Sequence, residues 1–277
     1  MILRTILSVL TIIIFTNAAR ADLLLDVQDT AKPGALIIGQ TSPGATITVD
    51  GKPVSVAGDG YFLTGIGRDE TGTITIKAVD GGSMVERVVS ILPREYDIQR
   101  IDGLPEKTVT PDPETAARIG REIAMIRDVR KIVTDDMLFD GGKPDVFQWP
   151  STGRISGVYG SQRILNGNPR RPHFGTDIAA PEGTPVRTMA PGIVRLVHED
   201  MVLTGKTVMV DHGHGLMSVY IHMSEITVTD GQRLDVGDVI GAIGSTGRST
   251  GPHLHWGVTL FSEQLDPMLL VGPMPEG

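Results

Sequence analysis

The sequence predicts a mainly β protein of two modules joined by a helical linker. Three observations carry this. Alternating or β-branched runs recur at about ten-residue intervals, Asp-Gly and related turn dipeptides separate them, and helical periodicity is concentrated in a single stretch near residue 120. A length of 277 residues suits two folded units, and 40% hydrophobic residues are enough for two cores. The 34 Gly and 18 Pro match a fold with many tight turns.

Residues 1–21 read as a secretory signal peptide, with Arg4 before an apolar stretch at 6–15 and Ala19-Arg20-Ala21 as the cleavage site. With no Cys there is neither a lipid-attachment thiol nor a disulfide. An exported, periplasmic protein is therefore expected, and no later apolar run is long enough to span a membrane. A net charge of −8 argues against nucleic acid as a partner.

Residues 22–95 are expected to form a small β-sandwich resembling immunoglobulin-like modules, with strands at 36–38, 46–49, 54–56, 61–63, 73–79 and 85–91. Asp50-Gly51, Asp59-Gly60 and Asp80-Gly81 accept the positive φ of tight hairpins. This stretch has no His, so it reads as a spacer or as a binding module for an envelope protein partner.

Residues 96–147 form a linker punctuated by Pro105, Pro111 and Pro113, with a helix near 113–137. Asp112 suits the N-cap and Pro113 the first helical position. Ile119, Ile123, Ile126 and Val133 are expected to form one apolar face packed on a neighbouring module. A second reading has this helix cover a substrate groove.

Residues 148–270 return to β sequence, with strands at 154–159, 186–189, 193–198, 207–211, 217–222, 239–243 and 255–260, and are expected to be antiparallel. All seven His lie between His173 and His255, which points to a metal or acid–base site in this module. On a strand, His253 and His255 of "HLH" project to one face, about 7 Å apart. His173 and Asp177, in "HFGTD", are folded together by a turn at Gly175. Two imidazoles, one carboxylate and a position left to water make the donor set of a catalytic zinc site, and spacing alone leaves open which His of the second pair binds.

The strings "RPHFGTDIAAPEGTPV", "VMVDHGHGLMSVYIHMS" and "VGDVIGAIGSTGRSTGPHLHWGV" resemble the M23 zinc metallopeptidases of the lysostaphin and LytM type, over roughly residues 150–267. The resemblance implies one Zn²⁺ per chain held by His173, Asp177 and His255, catalytic roles for His222 and His253, and a peptidoglycan substrate cut at its peptide crosslinks. Because the His-Glu-x-x-His motif is absent, imidazole has to do the work that Glu does in enzymes carrying that motif. His212 is expected to be structural, and His198 and His214 to lie at the surface. Arg163 follows Gly160 by one residue more than in many relatives. The alternative is a non-catalytic envelope regulator, an amidase activator built on the same domain.

Overall fold

The computed structural model describes residues 22–101, 111–143, 145–165 and 167–275, so the expected signal peptide lies outside the described residues. The first module is built from β1 (Leu25–Asp26), β2 (Thr30–Ala31), β3 (Leu36–Thr41), β4 (Thr46–Val49), β5 (Lys52–Val54), β6 (Tyr61–Gly65), β7 (Gly72–Asp80) and β8 (Ser83–Ile91). Sheets of order β1-β3-β6 and β2-β8-β7-β4-β5 share one apolar core. Strand alternation supplies it: Ile37 from β3, Phe62 from β6, Ile74 and Ile76 from β7, and Val89 from β8 all point inward. Asp50 and Gly51, with φ of 46° and 76°, close the β4–β5 hairpin as the two-residue turn expected of an Asp-Gly pair.

The connecting segment contributes β9 (Ile98–Ile101) and helix α1 (Pro113–Val129). The Asp112 carboxylate accepts the Thr115 N–H at 2.9 Å, the N-cap that the sequence offers. The helix is shorter than 113–137 and presents a different face from the one expected. Ile126 and Val129 pack on Leu196, Met201, Met209 and Met217, whereas Ile123 is 49% exposed and Val133 lies beyond the helix at 44%. After Val129 the chain turns to meet a distant loop, where Thr134 O accepts the His214 N–H at 2.8 Å and Leu138 N donates to His212 O at 3.0 Å. That contact takes Val133 off the helical stripe.

The second module contains β10 (Arg154–Gly157), β11 (Gln162–Leu165), β12 (Asn168–Pro169), β13 (Thr176–Ala179), β14 (Pro185–Arg187), β15 (Gly192–Met201), β16 (Gly205–Asp211), β17 (Leu216–Ile226), β18 (Arg233–Leu234), β19 (Val239–Ile243), β20 (His253–Leu260) and β21 (Glu263–Leu265). Its main sheet runs β10-β13-β20-β17-β16-β15-β18, antiparallel throughout. One face buries Ile178, Tyr220, Leu254, Trp256 and Val258 in the main core. The opposite face carries Met209 and Met217 under α1 and, further along, Asp177, Ile221 and His255. The modules meet where Arg94 pairs with Asp266 and Arg68 donates to Gly160 O.

Candidate active site

The site begins with strand register. Asp177 on β13 is directly opposite His255 on β20, and Ile221 on β17 flanks His255 on the other side, so all three side chains rise from one face. His173 comes from the loop before β13. Its Nε2 lies 3.1 Å from Asp177 Oδ1 and 2.9 Å from His255 Nδ1, and Asp177 Oδ1 lies 2.8 Å from His255 Nδ1. Three donor atoms thus converge in a triangle, the one such group among the described residues.

The surroundings fix this convergence. His173 Nδ1 sits 3.0 Å from Val158 O, and since a carbonyl only accepts, Nδ1 carries the proton and Nε2 turns its lone pair into the triangle. Burial raises the Asp177 carboxyl, but the His173 and His255 ring nitrogens that face it outweigh burial and hold the group well below the usual carboxylate range. Burial lowers His255 against the pull of Asp177, favouring a neutral donor nitrogen. Two glycines make room: a Cβ on Gly175 would stand 2.6 Å from His255 Cε1, and one on Gly157 would collide with Asp177 Oδ2.

His222 and His253 stand beside the triangle, with ring centroids 4.8 Å apart, and His222 is 6.5 Å from His255. On a regular strand His222 would share the face of Tyr220, which is fully buried on the core side. A bulge between the pairs Tyr220↔Val208 and Met223↔Lys206 adds one residue to β17 and turns His222, at φ 64°, into the groove. Thr204 O accepts the His222 N–H at 2.9 Å, and Nδ1 donates to Thr246 O at 2.8 Å. His253 Nδ1 is likewise held by Gly251 O at 2.8 Å. Each imidazole is therefore left with Nε2 as its open nitrogen. Burial, helped by His253 and His255, lowers His222 to about 4.

These five residues line one groove of about 560 Å³, together with Arg154, Ser156, Leu203, Thr204 and Arg248. Tyr220 stays beneath it, its hydroxyl accepting Met189 N at 2.8 Å. His212 is fully buried between Pro191 O and Ser218 Oγ, as a structural residue should be. His214 corrects the expectation of a surface residue. It is 3% exposed, because the segment after α1 folds over its loop. His198 is half-buried, its Nδ1 accepting Asp200 N. The Arg163 side chain lies outside the described residues. Gly157 was missed by sequence reasoning, since only the fold shows that it faces the Asp177 carboxylate.

The antiparallel β scaffold thus presents, in an open groove, a His–Asp–His triangle with the donor set of a metal site. Residues 171–267 match the model of peptidase family M23. The chain is 38% identical over 123 residues to the DD-carboxypeptidase/endopeptidase Mpg of Neisseria meningitidis serogroup B, a match covering 44% of this chain and 28% of that one. It is equally 38% identical over 122 residues to the peptidoglycan DD-endopeptidase ShyA of Vibrio cholerae, with the same coverage. The chain thus spans under a third of the length of these curated relatives. A crystal structure from Pseudomonas aeruginosa, provisionally assigned to peptidase M23, matches at 29% identity with a TM-score of 0.64, covering 87% of this chain and 94% of the other.

Proposed function

We propose that the protein is an exported, zinc-dependent endopeptidase that hydrolyses amide bonds in the peptide crosslinks of peptidoglycan. The observation that carries this reading is the donor triangle with two further histidines open to the same groove. A tetrahedral zinc with bonds of about 2.0–2.1 Å sets its donors roughly 3.3 Å apart, and the observed edges of 2.8–3.1 Å need only a slight opening to accept it. His173, Asp177 and His255 would hold the ion, which when bound lowers the pKa of water and polarises an amide carbonyl.

The remaining work falls to the chain's own imidazoles. The open Nε2 of His253 or His222 accepts the proton of the attacking water, and the resulting N–H is returned to the leaving amine. The other imidazole, its Nδ1–H held by a backbone carbonyl, offers its open Nε2 as an acceptor that orients the water or a substrate N–H. Arg154 and Arg248 line the groove, and Asp177 is its single carboxylate lining residue, so the groove suits a substrate that carries carboxylates. A D,D-type crosslink is preferred over a glycine bridge, in line with the names of Mpg and ShyA. Hydrolysis of such a substrate requires a location outside the cytoplasm, and the periplasm fits the leader at residues 1–21. The test is zinc content of the purified chain together with digestion of crosslinked peptidoglycan. One zinc per chain and new D-Ala termini are expected; a chain that binds no zinc and releases no peptides overturns the reading.

A further inference from the structure

We propose that helix α1 is a positioning element of the catalytic groove and that it acts through Glu122; this rests on the reading of the groove given above. Glu122 is 8% exposed, the one buried residue of α1, and a carboxylate in that place calls for a reason. Both its oxygens are engaged. Oε1 accepts Arg118 Nε at 2.8 Å, and Oε2 accepts the backbone N–H of Val202 at 2.9 Å. Arg118 also donates to Asp200 O and, at 3.1 Å, to Asp200 Oδ2. The helix thereby tethers the end of β15 at Asp200 and the β15–β16 turn at Val202.

That turn runs straight into the site. Leu203 and Thr204 line the groove. Thr204 O accepts the His222 N–H at 2.9 Å, and Leu203 O accepts the Arg248 N–H at 3.0 Å. Lys206 N donates to Thr246 Oγ1 at 2.9 Å, and Thr246 O in turn holds His222 Nδ1. His222 sits in a left-handed conformation that a non-glycine residue keeps only when its surroundings over-determine it. The tethered turn is one of those surroundings. No α1 residue lines the groove, so the helix braces its wall and does not plug it.

The experiment uses the full zinc-loaded chain and compares Glu122→Ala, Glu122→Gln and a control, Ile123→Ala, on the exposed side of the helix. Glu122→Ala is expected to lower kcat on crosslinked muropeptides by on the order of ten- to hundredfold, with KM and zinc content unchanged. Glu122→Gln keeps an acceptor for Val202 N and is expected to restore most of the rate. The His222 amide should exchange its hydrogen faster in Glu122→Ala than in the control. If Glu122→Ala does not fold, Arg118→Ala loosens the same turn from a half-exposed position. Equal kcat and equal His222 protection in Glu122→Ala and Ile123→Ala would overturn the inference. A wild-type chain that cleaves no peptidoglycan would sink the functional reading alone, because the exchange measurement decides the tether independently.

Discussion

The two halves of the groove are built in different ways. The metal triangle stands on regular antiparallel register, with Asp177 across from His255 and His173 delivered by a short loop. The His222–His253 half is mixed: His253 keeps the β20 register, opposite Ala179, whereas His222 stands on a bulge at φ 64°. Register places side chains through many shared hydrogen bonds, so it tolerates the loss of any one. A bulged residue depends on the few contacts that oppose its own conformational preference. The donor triangle should therefore fail through loss of a donor atom or of the space around it, and His222 through loss of backbone support.

The sharpest break between the halves comes from deleting one member of each. Asp177→Ala removes the anionic donor and leaves His173 and His255 facing each other 2.9 Å apart. Zinc binding should disappear and turnover fall to the detection limit, as it should when zinc is stripped from the native chain by a chelator. His253→Ala should keep its zinc and still lose about 10²–10⁴-fold in kcat, the usual range for a lost acid–base group. Zinc titration alongside single-turnover rates separates the two results. Metal loss in His253→Ala, or full activity, would erase the division of labour.

A smaller effect tests the space around the triangle without touching a ligand. Gly175→Ala and Gly157→Ala place a methyl against His255 and Asp177 respectively, in contact with groups that cannot move without leaving the triangle. Each should weaken zinc binding by about 10–100-fold, the scale seen when the support of a ligand is disturbed. Gly58→Ala in the first module meets nothing within 4 Å and serves as the control. Unaltered zinc affinity in both site variants would mean that the ligands are held more loosely than the packing implies.

The same contrast explains how much could be read before folding. His173, Asp177, His253 and His255 are close in sequence to the turns and strands that aim them, so local pattern and family resemblance found them. His222 was found by resemblance alone, since ordinary alternation from the core residue Tyr220 would have pointed it into the core. The N-cap at Asp112 was legible because capping is local, and the face of α1 was not, because its partner is a turn some eighty residues away. Apolar periodicity favoured Ile123, yet the docking partner offers a backbone N–H, so the helix turns Glu122 inward. His214 was misplaced for the same reason, as the segment that buries it is distant in sequence.

Burial lowers two imidazoles alike, His212 and His222, each to about 4. His222 keeps an open nitrogen in the groove, whereas His212 has both nitrogens engaged, by Pro191 O at 2.7 Å and Ser218 Oγ at 2.8 Å, beside an Asp211 that Arg195 already pairs at 3.1 Å. His212 should therefore act on stability and not on chemistry. Its folded value lies below the ordinary 6.5, so the unfolded chain binds more protons between about 4 and 6.5 and stability rises with pH across that window. The contribution is complete above pH 6.5 and is lost as pH falls toward 4, a swing of about 3 kcal/mol at most. Urea unfolding of zinc-free protein at pH 7 and pH 4.5, wild type against His212→Gln, isolates it. The wild type should lose more stability on acidification than the variant does, and equal losses would show that His212 is not the buried neutral group described.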